Sequence, residues 1–463
     1  MTDDTSRAWR KGKDNKLMNT DFTTKDLNRV PTAFQQQPLP QTLYPLQTQE
    51  QWDRLPKGKL KPEDVFEAFY RCKAGKADTC NALRFEMHFE RYCLELCERV
   101  NNHNYHPDRS IVFIIEKPVK REVFAPSFES RVGDHVVADK IMPLLDAYLL
   151  DDNYATRSGR GTLYGVRRVE AMMEACTEHW TKECWVMKTD LESFFMSLDK
   201  RLLYSRIAWF VDRYYHGEDK MELIYLLWAI IMDRPETHCV RRCPRNRWEG
   251  LPPRKSLFNS DGRHGIPIGR LTSQMSVSLY LDELDKLLRW KWHVPFVGRY
   301  VDDIVMMSQS KEILYAARHL MEEWLHQRDL NLHPRKLYLQ PYRKGVNFVG
   351  GFILPGRIYA TRRSIGFAFD AVAAWNRLAM NGPAFVEEHA ERMASTLNSY
   401  LGHLRHFAAY NVRRRLLDSV DPAWWEVLSL PATLHKVAVR RGHTRRDHVL
   451  QELSQWERLW AKQ

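Results

Sequence analysis

Between residues 61 and 101 apolar side chains recur at helical intervals, among them Phe66, Phe69, Leu83, Phe85, Phe89 and Leu94. That spacing predicts a run of helices. The pattern changes at residues 183–189, a mostly apolar run that ends on Asp190 and reads as a buried strand. It changes again at residues 299–307, where β-branched and apolar runs flank Asp302 and Asp303. This predicts two strands joined by a tight turn with both carboxylates at its tip. Between the two acidic sites, the Gly/Pro-rich residues 265–274 form a loop that runs into a helical pattern. Asn381-Gly382-Pro383 breaks the chain, and helices are predicted over 384–401, 405–417, 422–428 and 445–460. Residues 1–58, rich in Gln, Pro, Thr and charge, read as an arm, flexible alone or a docking segment when ordered by RNA or another subunit. No internal repeat is apparent.

Asp is a common turn residue, so the Asp302-Asp303 pair alone is compatible with an ordinary surface turn. Its place in a series is more specific. Asp190 after an apolar strand, Gly269 to Gln274, and Tyr300-Val301-Asp302-Asp303 follow one another in an order that resembles the reverse transcriptases. Glu116 to Val123 with Ser130-Arg131-Val132, then Arg157 to Thr162, resemble the basic segments upstream of that family's palm. Leu332 to Lys336 and Gly345 to Gly351 resemble the segments after its acidic hairpin. The resemblance runs from about residue 110 to 420.

The resemblance implies an α+β right-hand polymerase with an RNA-recognition-like antiparallel palm sheet and a helical thumb. The domains expected are an N-terminal arm over 1–58, fingers with N-terminal helices over 59–180, a palm with helical insertions over 181–355, and thumb plus extension over 356–463. Asp190, Asp302 and Asp303 become the catalytic carboxylates. With the Leu191 carbonyl they become ligands of two Mg²⁺ ions, or of Mn²⁺, since hard cations take oxygen ligands. Lys117, Arg121, Phe195, Ile268, Gly269, Gln274 and Lys336 become nucleotide contacts, with Phe195 as the ring that excludes a ribose 2′-hydroxyl and Lys336 as proton donor to pyrophosphate. Phe348, Gly350 and Gly351 become the primer grip. Arg157, Arg160, Arg405, Arg413 and Arg414 become contacts to nucleic acid.

Leu251 to Phe258, Ser273-Gln274 and Asn398 to His406 resemble bacterial members, those of diversity-generating retroelements and of the unknown-group enzymes of phage defence. Ile268 stands where many retroviral enzymes have Gln, which removes a side-chain hydrogen bond near the incoming nucleotide. No pattern for an RNase H domain or a His-Asn-His nuclease is evident. A formal net charge of +12 suits a polyanionic partner. The basic residues Arg405, Arg413, Arg414, Arg415, Arg440, Arg441, Arg445 and Arg446, interleaved with Tyr410, Trp424, Trp425 and Trp456, suit a duplex clamp or a solvated face.

Eight cysteines lack paired Cys-x-x-Cys spacing; Cys93 with Cys97, and His238-Cys239 with Cys243, do not make up a four-ligand zinc set. Reduced thiols in a bacterial cytoplasm are expected. No apolar run approaches about 18 residues, so no membrane span is expected, and residues 1–14 lack a signal core. The function expected is DNA synthesis from dNTPs on a dedicated noncoding RNA template in anti-phage defence, with an accessory protein or homo-oligomer as further partners. A mutagenic retroelement enzyme and a template-independent or protein-primed polymerase remain as alternatives.

Overall fold

The computed structural model describes residues 32, 44–74, 79–117, 119–430, 434–440 and 442. Residues 1–31 and 33–43 of the predicted arm lie outside the described residues. So do the predicted helix 445–460 and Arg441, Arg445, Arg446 and Trp456. The chain divides into two bodies, Met1–Gly165 with Ala175–Gln340, and Val166–Glu174 with Pro341–Gln463. The chain thus passes to the second body at Pro341.

In the first body the segment predicted as helical forms Pro62–Lys73, Cys80–Glu86 and Phe89–Asn101. Pro62 opens the first of these at a position where its missing N–H costs nothing, and Glu63 and Asp64 face the helix dipole. Phe69 and Phe85 are buried, but Leu83 and Leu94 are half exposed at 50% and 49%. The third helix buries Cys93, Leu96, Cys97 and Val100. Leu94 follows Cys93 directly and is therefore rotated about 100° off that stripe.

Among the described residues, ten strands carry the three larger sheets: β1 (Ile111–Ile115), β2 (Arg121–Ala125), β3 (Trp185–Thr189), β4 (Val240–Arg241), β5 (Phe296–Tyr300), β6 (Asp303–Ser308), β7 (Tyr338–Pro341), β8 (Val346–Phe348), β9 (Gly351–Leu354) and β10 (Arg357–Ala360). One sheet has the order β5-β6-β3-β7, with β6 antiparallel to both its neighbours. Another has the order β2-β1-β4, in which β1 and β2 form an antiparallel hairpin. Helix Lys220–Met232 is apolar all round, and Leu223 to Leu227 are completely buried, so it fills the core between helices Phe128–Tyr148 and Lys200–Tyr214. Among the described residues no helix is long and apolar enough to cross a membrane.

The second body holds the antiparallel sheet β10-β9-β8 and the helices Arg362–Ala379, Pro383–Leu404, Tyr410–Asp418 and Pro422–Val427. Gly382 takes a φ of 99°, which only glycine adopts without strain, and Pro383 starts the next helix. The helix predicted from 405 begins only at Tyr410, because the preceding residues turn and the Ala408 N–H donates to the Ile358 carbonyl of β10.

Candidate active site

Three carboxylates meet at one end of the β5-β6-β3-β7 sheet because the strand register puts them there. Thr189 pairs with Ile304, so Asp190, one residue on, arrives beside Asp303, one residue back. Tyr300 pairs with Asp303, which leaves Val301 and Asp302 as a two-residue turn between β5 and β6. Val301 takes a φ of 56°, a left-handed conformation costly for a β-branched residue. Arg299 holds this turn. Its Nη1 donates to the Val301 carbonyl at 3.0 Å, and its Nη2 donates to the Ser278 carbonyl at 2.9 Å. Its Nε and Nη2 grip Asp285 at 2.7 Å each. Arg299 is completely buried.

A second segment lies along the Asp190 strand end. His333 N–H donates to the Asp190 carbonyl at 2.7 Å, and Glu192 N–H donates to Asn331 at 2.8 Å. This contact brings the Lys336 ammonium onto Asp190 Oδ2. Lys188, the one charge inside β3, pairs with Asp303 at 3.0 Å. Among the described residues, Asp302 has no such ammonium partner. Burial first, then the negative charges of Asp190 and Asp303, push its carboxyl up to about 7. Burial also raises Asp303, against the pull of Lys188.

Among the described residues no three His, Cys, Asp or Glu side chains already form an ion cage. The donor chemistry nevertheless fits a hard divalent cation. All three groups are carboxylates, two of them are met by ammonium groups that stand in for added positive charge, and the third is destabilised by the lack of it.

The glycine-rich loop packs against both the acidic strand end and the β1-β2 hairpin. Ile266 N–H donates to the Phe195 carbonyl at 2.8 Å, and Phe124 N–H donates to the Ile268 carbonyl at 3.0 Å. Gly269 has a φ of +125°, and a Cβ there would stand 2.7 Å from the Phe124 carbonyl, so no larger residue fits. Arg270 anchors the loop from below: it is buried and pairs with Asp134 at 3.1 Å, an oxygen that also accepts from Thr272 at 2.9 Å. Phe194 is buried and Phe195 only partly so, which leaves Phe195 as the more open ring. Ile268 is half-buried, and Gln274 is exposed with Thr156 donating to it at 3.3 Å. Lys117 and Arg121 lie exposed at the closed end of the β1-β2 hairpin, where Ile115 pairs with Arg121.

Two arginines expected to face nucleic acid turn inward instead. Arg157 spends its guanidinium on Asp146 and on the carbonyls of Asp146, Leu150 and Asn153. Arg413 is buried beneath Tyr410 and donates to the Leu434 carbonyl. Arg160 is half-buried, paired with Asp151 at 2.7 Å and set over the Tyr164 ring. Arg405 and Arg414 are exposed in the second body. There also Phe348 is buried, Gly350 has a φ of 95°, and a Cβ on Gly351 would strike Val166 at 2.7 Å. Sequence reasoning did not single out Arg299, Asp285, Lys188, Asp134 or Arg270 for positioning. A charge inside an otherwise apolar strand was the available signal for Lys188 and Arg299.

No curated protein matches the chain. Among solved structures, it resembles apo telomerase from Candida tropicalis truncated from its C-terminal domain, with 14% identity and a TM-score of 0.39. That likeness covers 55% of each chain, so the chain spans about half the length of this relative. The family model for reverse transcriptase (RNA-dependent DNA polymerase) matches residues 116–352, just over half of the sequence and all the elements that carry Asp190, the glycine-rich loop and the Asp302-Asp303 turn. The chain belongs to the reverse transcriptase family.

Proposed function

We propose that this chain is an RNA-directed DNA polymerase that copies a dedicated noncoding RNA, with Asp190, Asp302 and Asp303 as its catalytic carboxylates. The observation that carries this reading is their convergence at one sheet end, with Asp302 left short of positive charge. Asp190, Asp302, Asp303 and the Leu191 carbonyl would hold Mg²⁺, which when bound would supply positive charge to offset the negative charge developing on the 3′-oxygen and on pyrophosphate.

The chain's own residues do the rest. Lys117 and Arg121 bind the triphosphate, Arg through a planar fork and Lys as a point charge. The backbone at Ile268 and Gly269, with Gln274, shapes the nucleotide pocket, and the Phe195 ring occupies the space a 2′-hydroxyl would need. The 3′-oxygen attacks the α-phosphorus as the bond to pyrophosphate breaks, and Lys336, beside Asp190, holds a proton for that leaving group. Phe348, Gly350 and Gly351 form a primer grip, and the exposed Arg405 and Arg414 contact the nucleic acid, in a fingers, palm and thumb arrangement.

Asp302→Asn with Asp303→Asn should abolish DNA synthesis while thermal stability and RNA binding persist, because repulsion is removed along with the ligands. Synthesis near the wild-type rate would sink the assignment. The setting we propose is bacterial anti-phage defence. The segments Leu251 to Phe258 and Asn398 to His406 support the bacterial branch. Sequencing co-purified nucleic acid separates this setting from a retroelement, whose product would map to a template repeat, and from template-free synthesis, whose product would map nowhere.

A further inference from the structure

Between the core helix and the glycine-rich loop the chain makes an excursion over residues 240–255 with six cations, Arg241, Arg242, Arg245, Arg247, Arg254 and Lys255, against one anion, Glu249. A run of charge is usually a solvated and mobile face. This one is built in. Glu122 of β2 is buried, and its carboxylate accepts from Trp248 Nε1 at 2.6 Å, Ser256 Oγ at 2.8 Å and the Leu257 N–H at 2.6 Å. Lys120 Nζ donates to the Glu249 carbonyl at 2.6 Å, and β4 extends the hairpin sheet beside β1. Short 3₁₀ turns at Arg245–Trp248 and Pro253–Lys255, each preceded by proline, hold the backbone between these anchors. Three charge-assisted hydrogen bonds to one buried carboxylate are a costly way to secure a loop with no task, because an unanchored Glu122 would be a buried charge.

The anchored segment leaves cationic groups facing outward. Arg242 and Arg245 are exposed and have no ion-pair partner among the described residues, and Arg241 is exposed over the Phe258 ring at 4.6 Å. Arg247 is shared with Glu116 at 3.2 Å, and Arg254 with Glu192 at 2.6 Å. Glu192 lies two residues from Asp190, so the excursion ends against the chain segment that carries the first candidate carboxylate. Arginine is the side chain whose planar fork matches phosphate oxygens in pairs. A polyanion leading towards Asp190 is, on the polymerase reading, the template strand.

We propose that residues 240–255 form a docking strip for single-stranded RNA, in which Arg241, Arg242 and Arg245 neutralise successive phosphates and Glu122 fixes the strip to the β1-β2 hairpin. Recognition is of backbone charge, so it is independent of base sequence.

The test is the salt dependence of RNA binding by the full chain, measured with a short single-stranded homopolymer RNA, for a variant carrying Arg241→Gln, Arg242→Gln and Arg245→Gln. A matched control carries Arg71→Gln, Arg84→Gln and Arg91→Gln, exposed residues elsewhere in the same body that lower net charge equally. The strip variant should reduce the slope of log affinity against log salt by up to about 2, from three phosphates at about 0.7 each. The control should keep the wild-type slope. An unchanged slope in the strip variant overturns the proposal, whether the strip is solvated or meets an acidic protein instead. So does an equal fall in the control, which would mean a long-range field rather than a site. Binding is read without synthesis, so a chain that fails to polymerise but shows the slope change refutes the polymerase reading and keeps the strip.

Discussion

Asp285→Ala isolates the residue that holds the acidic turn. Its partner Arg299 is completely buried, and the variant removes the contacts at 2.7, 2.9 and 2.7 Å that balance its charge. An unpaired buried charge costs about 3–5 kcal/mol, a large part of the roughly 5–15 kcal/mol that holds a protein folded. Denaturant unfolding should register that loss. The functional effect can then be separated from the stability effect by a second variant, Asp285→Leu with Arg299→Met. Replacing both charges by apolar groups of similar size is often neutral or stabilising, so stability should return towards wild type. The donor to the Val301 carbonyl does not return. Val301 is strained, and without that hydrogen bond the turn relaxes and displaces Asp302. A shift of about 1 Å in a reacting group costs on the order of 100-fold in rate. Primer extension by the double variant should therefore remain about 100-fold slow at saturating dNTP although the protein is stable. Wild-type kcat in that variant would refute a positioning role for Arg299, and a loss of less than about 1 kcal/mol in Asp285→Ala would refute the burial argument itself.

Phe195→Ala should admit ribonucleotides, read as a fall in the dNTP-to-rNTP ratio of kcat/KM; an unchanged ratio moves the gate elsewhere, since Phe194 is buried. Arg414→Gln with Arg415→Gln should flatten the salt slope of duplex binding by up to about 2 with little change in stability, whereas Arg413→Gln should leave the slope alone and lower the melting temperature, the opposite pattern refuting the inward placement of Arg413. Asp134→Asn should weaken the buried pairing with Arg270 by about 1.5–3 kcal/mol and raise KM for dNTP more than it lowers kcat, because Arg270 begins the helix that follows the glycine-rich loop; an unchanged KM in steady-state extension would free the loop from this anchor.

The strands that carry the acidic site were legible because burial on both faces leaves a continuous apolar run, and a carboxylate that ends such a run stands out. The turn between β5 and β6 was legible for the same reason. Arg299 lies inside that run, yet its role stayed hidden: its partner Asp285 sits in a helix, and only the folded packing brings the two together. Arg157 and Arg413 show the converse difficulty. An arginine in a basic cluster looks like a phosphate contact, but burial can turn it inward, where backbone carbonyls take up some of its donors. Helical periodicity located the N-terminal helices, but spacing alone did not tell the packed stripe, which includes Cys93, Leu96, Cys97 and Val100, from neighbours such as Leu94 that stay half exposed. Glu122 carried no signal at all, because a single glutamate in a strand says nothing of the three donors that reach it from more than a hundred residues away.

Helix Thr162–Cys176 begins and ends with the first body, yet its middle, Val166–Glu174, belongs to the second, where Gly351 leaves just enough room for Val166. During synthesis on a ribosome this stretch emerges long before the strands it must meet. Its second-body face waits through the making of the acidic hairpin and is covered only when the chain beyond Pro341 arrives. A fragment beginning at Pro341 would lack that piece, and one ending at Gln340 would display it uncovered. Dissection of the protein into separately expressed halves therefore needs the helix supplied in trans or grafted onto the C-terminal half, and a nascent chain stalled near Gln340 is the species a chaperone would be expected to hold.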